Sequence, residues 1–371
     1  MNKDKITFIL TLKGRDEFTK RIYNYYNETN FPYKILIGDG IVNSPIKQYL
    51  ESDKSSNKID YEYLEFNDET PFDYFNKLKS LLQKVDTPYV MLIDNDDYVI
   101  AQNIQKCIDF LDTSKDYVSC GGVILEFHNL FNEKRKVILN ECVHYKYDLL
   151  KEFPDSPLER AVYFTKNHTA SPWYNVYRTD VLKKCIERFI EADVTDFSLM
   201  EYFVSISTII SGKHKFIQSF THYVRQRNSS QISVNITSIY SRMINGDLGN
   251  EVKKMLNSLI NQIKEVSPGE SMTVIKETIY KAYTNYLEKP NAKSVTIRGI
   301  VLMNFQRYLY SLRYFVPSIN MLFRKWDMRK IKRYFSANGA TSKEIEDFSN
   351  TYSGIVMCIL NTKVPASYLI K

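Results

Sequence analysis

Tyr89-Val90-Met91-Leu92-Ile93-Asp94-Asn95-Asp96-Asp97 decides how this chain is read: five strand-compatible apolar residues run straight into three carboxylates. A short continuous apolar run bounded by turn residues predicts a strand buried on both faces. In an α/β protein such a strand delivers whatever follows it to the sheet edge where ligands bind. Three carboxylates there repel one another, so a divalent cation or a basic partner is expected, and without one at least one pKa rises. The other reading is a solvated acidic turn, because Asp and Asn are ordinary turn residues. The flanking segments favour the first.

Upstream, Pro71 stands where a helix would begin, and Phe72, Phe75, Leu78, Leu82 and Val85 recur at three to four residues, which predicts an amphipathic helix leading into the Asp94 strand. Residues 5 to 12 are rich in β-branched and apolar types and stop at Lys13-Gly14-Arg15-Asp16, a strand and a tight turn. A helix through Phe18, Ile22, Tyr25 and Tyr26 follows, then a strand at 34 to 37 ending in Gly38-Asp39-Gly40, a short helix over 45 to 51 and a more exposed strand over 60 to 66. Strands alternating with helices predict a mostly parallel, Rossmann-like sheet flanked by helices. Parallel strands end on one edge, so Asp39 should converge with Asp94, Asp96 and Asp97. No GxGxxG or GxxxxGK[ST] element follows any strand, so a bound phosphate is expected to be held through a metal.

These landmarks, in this order, resemble a family 2 type glycosyltransferase of the GT-A fold over residues 5 to 231, the nucleotide-sugar-dependent class that builds bacterial surface polysaccharides. The resemblance implies that Thr11, Lys13 and Arg15 of the first turn touch the nucleotide and that Asp39 holds its base or ribose. Leu-Ile-Asp-Asn-Asp-Asp resembles the DxD element, which places Asp94 near ribose and metal, Asp96 on the metal and Asp97 in support. Mg²⁺ or Mn²⁺ suits such hard oxygen ligands and can bridge them to both phosphates of a sugar nucleotide.

The resemblance also implies a catalytic base at the start of a later helix. The matching segment is Asp193-Val194-Thr195-Asp196-Phe197-Ser198-Leu199-Met200-Glu201, and Asp196 is the expected base. Thr195 stands where relatives carry an acidic neighbour, and Glu201 and Asp193 compete for the role; Asp196 also reads as a helix N-cap. Tyr223 to Ser230 resembles the closing segment, with Arg227 where relatives often carry a metal-binding His. An arginine cannot ligate a cation but can pair with a diphosphate, so Arg225 and Arg227 are expected on the pyrophosphate. His222 reads as a substitute ligand or as a structural strand residue. His168 and Trp173, in an aromatic loop between the DxD run and the base, are candidate acceptor contacts; Trp173 reads equally as core.

The chain has 371 residues, 44% hydrophobic and 25% charged, which suits two globular domains or one domain with an appendage. We place the catalytic domain at 1–236 and a basic helical region at 237–371. No apolar run approaches the roughly 20 residues of a membrane span, and no signal peptide is evident, so a cytoplasmic protein is expected. Five scattered cysteines (Cys107, Cys120, Cys142, Cys185, Cys358) form no CxxC pair and read as reduced thiols, mostly buried.

The formal net charge is +7, but it is unevenly spread: residues 237 to 371 hold 20 Lys and Arg against 10 Asp and Glu. Helices are expected near 238–244, 250–266, 272–287 and 294–315. Arg324, Lys325, Arg329, Lys330, Lys332 and Arg333 cluster around Trp326 and Met328, a pattern that suits peripheral attachment to anionic lipid at the inner leaflet or, equally, a solvated helix face. A homodimer through the tail is the other use.

The expected function is therefore an inverting transfer of a sugar from a nucleoside-diphosphate sugar to a hydroxyl of a glycan or lipid-linked acceptor. A metal-dependent nucleotidyltransferase is the runner-up, although Lys13-Gly14-Arg15 is only a fragment of the loop those enzymes need. A non-enzymatic protein binding lipid or nucleic acid is weaker, because the basic residues form no recognisable nucleic-acid module; no nucleic-acid partner is expected.

Overall fold

The computed structural model describes residues 3–52, 58–132, 137–144, 152–167, 172–227, 248–287 and 328–361. Strands β1 (Ile6–Leu12), β2 (Lys34–Asp39), β3 (Tyr61–Glu65) and β4 (Tyr89–Ile93) alternate with helices α1 (Asp16–Glu28), α2 (Pro45–Ser52) and α3 (Pro71–Gln83), as the apolar runs predict. The four strands are parallel in the order β3-β2-β1-β4. Leu12 lies opposite Asp39, and Leu10 opposite Ile93, so Asp39 and the Asp94 turn leave the sheet at one edge.

Beyond β4 the sheet is mixed rather than mostly parallel. It continues through β8 (Val176–Arg178), β6 (Tyr117–Asn132) and β9 (Lys213–Arg227) to β5 (Tyr98–Val99), while β7 (Val137–His144) pairs with β6. The β4–β8, β8–β6, β6–β7 and β9–β5 pairs are antiparallel, and only β6–β9 adds a parallel one. The reason lies in the connections. A parallel neighbour needs a crossover of a dozen or more residues, whereas β7 follows β6 after the four residues 133–136. Helices α4 (Ala101–Thr113), α5 (Pro157–Asn167), α6 (Thr179–Glu191) and α7 (Phe197–Ser211) cover this half of the sheet.

Helix α3 starts where the sequence places it, and its cap explains why. The Thr70 hydroxyl accepts from the Asp73 amide, the Asp73 carboxylate accepts from the Thr70 amide, and Pro71 takes the first helical position. Thr70→Ala should cost about 1 kcal/mol, read as a lower midpoint in urea at unchanged m-value.

The described part of the tail is helical: α8 (Gly249–Val266), α9 (Met272–Leu287), α10 over 328–337 and α11 (Ser342–Asn361). Helix α8 packs on α7 and α9 on α5, while α11 lies against α1 and β9. Val252, Met255, Leu259 and Ile263 of α8 join the same hydrophobic core as the sheet. In α10, Ile331 and Phe335 are buried while Arg329, Lys330 and Arg333 are exposed, so those three charges lie on a solvated helix face. Among the described residues no helix is long and apolar enough to cross a membrane. Cys107, Cys120, Cys185 and Cys358 are thiols, the first three buried. His168, Arg324, Lys325, Trp326 and the helices expected at 238–244 and 294–315 lie outside the described residues.

Candidate active site

The acidic run leaves β4 as a tight turn between two anchors. On one side, buried Asn95 donates its side-chain amide to the carbonyls of Gly14 and Arg15 (3.4 and 3.5 Å) and to the Thr19 hydroxyl (3.0 Å). This ties the turn to the β1–α1 connection, where Gly14 and Arg15 have φ of 68° and 62°. On the other, Tyr98 and Val99 form the short strand β5 against Val224 and Tyr223 of β9. Asn95 thus serves the backbone, and its neighbours are free to serve the site.

Asp94, Asp96 and Asp97 each offer a carboxylate oxygen, and these oxygens lie within 4.8 Å of one another. Burial, followed by the charge of Asp96, raises the pKa of Asp94 and pushes that of Asp97 well up. A cluster that resists ionising together is a cluster that favours a cation. Arg15 supplies part of that charge, with its guanidinium 2.5 Å from the Asp96 carboxylate. Arg225 supplies more, lying 3.9 Å from Asp97 and 3.8 Å from the buried Glu126, with its guanidinium 5.0 Å over the Tyr174 ring. Hard carboxylate oxygens at this spacing fit Mg²⁺ or Mn²⁺.

Two tyrosines fix Asp94. The Tyr174 hydroxyl donates to its carboxylate (2.5 Å), and the Tyr223 hydroxyl accepts from its backbone N–H (3.1 Å). Their rings stack with centroids 4.4 Å apart. His222 holds this pair from behind. Its Nδ1 accepts from the Gly122 N–H (2.8 Å), so Nε2 carries the proton and donates to the Tyr174 carbonyl (2.8 Å). Burial lowers its pKa to about 4, and with both ring nitrogens engaged by the backbone it serves as a structural strand residue rather than as a substitute ligand.

The other expected nucleotide contacts gather on the same edge. Asp39 is buried, its carboxylate accepting from the Ile41 N–H (3.0 Å) and the Tyr63 hydroxyl (2.7 Å). The Thr11 hydroxyl is 3.4 Å from that of Tyr74 on α3, and exposed Lys13 donates to the Asp68 carbonyl. Beneath them Lys77 and Asp68 form a buried ion pair, and Lys77 also donates to the Leu12 carbonyl (2.9 Å). Gly40 is obligatory here, since a Cβ would fall 2.2 Å from the Asp68 carboxylate. Arg227 ends β9, with its side chain outside the described set.

Asp196 directly precedes α7, where its carbonyl accepts from the Leu199 N–H (3.2 Å). The adjoining Phe197 ring packs on Tyr74 and Phe75, so the start of α7 lies beside the Thr11 turn. Asp193 has φ 52° and is a turn residue engaged by Lys254. Burial and then the Asp94 charge raise the pKa values of Tyr74 and Tyr174, and the charge of exposed Glu201 adds to both, so Glu201 lies within electrostatic reach of these rings. Trp173 is buried in the core, and its neighbour Tyr174 is the residue that reaches Asp94.

Sequence reasoning missed Arg21 as well as Tyr174. Arg21 is buried on α1 and donates to the Asp96 carbonyl (3.3 Å) and to the Gln226 side chain, with Phe18 and Tyr98 rings against its guanidinium. The signal was an arginine set in the apolar stripe of Phe18, Ile22 and Tyr25.

A Rossmann-like sheet that ends in a carboxylate triad beside a basic turn suits a nucleoside diphosphate bridged through a divalent cation. Residues 69–186, from the α3 cap through the triad to α6, match the family model Glycosyl transferase family 2. No curated protein sequence matches the chain. Similar solved structures include S. aureus TarS residues 1–349, at 14% identity and a TM-score of 0.46, covering 95% of this chain and 91% of that one. The same TarS fragment in complex with UDP-GlcNAc is similar at 13% identity and a TM-score of 0.48, covering 95% and 92%.

Proposed function

We propose that the chain is an inverting glycosyltransferase that moves a sugar from a nucleoside-diphosphate sugar to a hydroxyl of a glycan or lipid-linked acceptor, in the synthesis of a bacterial surface polysaccharide. The observation that carries this reading is the Asp94–Asp96–Asp97 triad set on the same sheet edge as Asp39 and the Thr11–Arg15 turn.

Asp39 and Thr11 bind the nucleoside, their carboxylate and hydroxyl being held in place by Tyr63 and Tyr74. Arg15, Lys13 and Arg225 lie where a diphosphate would meet the triad, and Arg225 leans on Tyr174 so that it faces the leaving group. A divalent cation on Asp94, Asp96 and Asp97 would neutralise the diphosphate as it departs. Asp196 removes the proton from the acceptor hydroxyl, whose oxygen attacks the anomeric carbon on the face opposite the diphosphate. One displacement inverts that centre. The basic residues of the tail would bring the enzyme to the inner leaflet, where a lipid-linked acceptor resides.

A thermal-shift panel of UDP, GDP, dTDP and CDP, each with Mn²⁺, Mg²⁺ or EDTA, tests the donor site. One diphosphate with metal should stabilise the chain by about 2.7 kcal/mol at a hundred times its Kd, and Asp96→Ala should remove the effect. No shift with any nucleotide would overturn the assignment.

A further inference from the structure

Helix α8 runs beside α7 and holds it at both ends. Near the far end, buried Gln262 donates to the Ser207 carbonyl (2.8 Å) and the Ser211 hydroxyl (3.0 Å). At the near end, the first two turns of α8 grip the loop that carries Asp196. The Glu251 carboxylate accepts from the Thr195 N–H (2.7 Å) and lies 3.4 Å from the Thr195 hydroxyl. Lys254 donates to both the carbonyl and the carboxylate of Asp193, each at 2.8 Å. Glu251 and Lys254 are themselves 3.4 Å apart, so each charge holds the other in place.

Three features make this grip more than surface decoration. Asp193 has a left-handed backbone, φ 52°, which a non-glycine residue adopts at a cost of about 1 kcal/mol or more. Lys254 binds both oxygen-bearing groups of that residue and so favours the unusual turn. Thr195 is the residue immediately before Asp196, and its N–H is fixed by a charge-assisted bond to a side chain only 17% exposed. The direction in which the chain enters α7, and hence where the Asp196 carboxylate stands, depends on residues from the C-terminal region.

Resting on the assignment of Asp196 as base, we infer that Glu251 and Lys254, in the N-terminal part of α8, are positioning residues of the transfer reaction. A misplaced base loses rate steeply with small displacement, while the proposed donor contacts come from β1, β2 and β4 and the turns that follow them.

The test uses the full chain and the sugar nucleotide that gives the fastest diphosphate release in a panel of UDP-, GDP- and dTDP-hexoses. Glu251→Ala should lower kcat about tenfold or more with KM for the donor within about twofold, and Glu251→Gln, which keeps the acceptor oxygen, should recover most of it. Gln262→Ala should lower Tm and leave kcat alone. Combined with Asp196→Asn, Glu251→Ala should cause no further loss, because both act through one group. In hydrogen exchange, the amides of 194–200 should lose protection in Glu251→Ala.

Unchanged exchange over 194–200, or a kcat for Glu251→Ala equal to that of the parent, overturns the positioning role. An equal fractional loss in the Asp196→Asn background overturns it too. Full activity of Asp196→Asn instead removes the base assignment itself, and the two failures are thereby told apart.

Discussion

Asp196→Asn should lower the turnover number on the order of a hundredfold to ten-thousandfold while the chain melts at an unchanged temperature. The two halves of this expectation have separate physical origins. Asparagine caps a helix about as well as aspartate, so the start of α7 keeps its local stabilisation. It has no carboxylate to take the acceptor proton, so the attacking oxygen must lose that proton to water. The proposed donor contacts come from β1, β2, β4 and the turns that follow them, which share one sheet edge, so the nucleoside diphosphate thermal shift should survive the change. Glu201→Gln is the necessary companion, because Glu201 also acts electrostatically on Tyr174 and Arg225. If Glu201→Gln loses the larger share of turnover, the base is Glu201 and not Asp196.

The second large effect concerns acid. His214 and His222 are wholly buried, and burial holds their pKa values near about 3 and about 4, below the ordinary 6.5. A histidine depressed in the folded chain binds its proton more readily when unfolded, so its contribution to stability is complete above pH 6.5 and shrinks as pH falls from there toward 4. At pH 5 each contributes about 2 kcal/mol less than at neutral pH, or about 4 kcal/mol together, a large fraction of a typical folding free energy. Asp94 and Asp97 act in the opposite direction, because carboxyls raised in the folded chain take up protons there first. The measurement is therefore a comparison: urea midpoints at pH 7 and pH 5 for the parent and for the His214→Gln/His222→Gln double variant. A parent whose pH dependence matches that of the double variant would show that these histidines carry none of it.

Much of the candidate site is legible in the sequence because its signals are local. Tyr89–Ile93 is apolar at every position and β4 is buried at every position. The acidic residues that follow had to emerge at its end, and parallel pairing with β1 had to set them level with Asp39. What escaped was the antiparallel half of the sheet. Strand β5 is two residues long, and β8 is three. Neither is long enough to display a period, and their partners are set by β9 and β6.

By itself, then, the sequence determined the alternation of strands and helices, the edge at which carboxylates gather, and a basic turn facing them. Each follows from burial periodicity and turn chemistry within a few residues of chain. Tertiary structure alone decided how those carboxylates are held. Tyr174 reaches Asp94 across 80 residues of chain, Tyr223 across 129, Arg21 reaches Asp96 across 75, and Glu251 grips Thr195 across 56. Such contacts depend on sheet register and helix packing, which bring together groups that no local pattern links; a tyrosine in a strand or a glutamate in a helix looks the same in sequence whether it faces solvent or holds a catalytic loop.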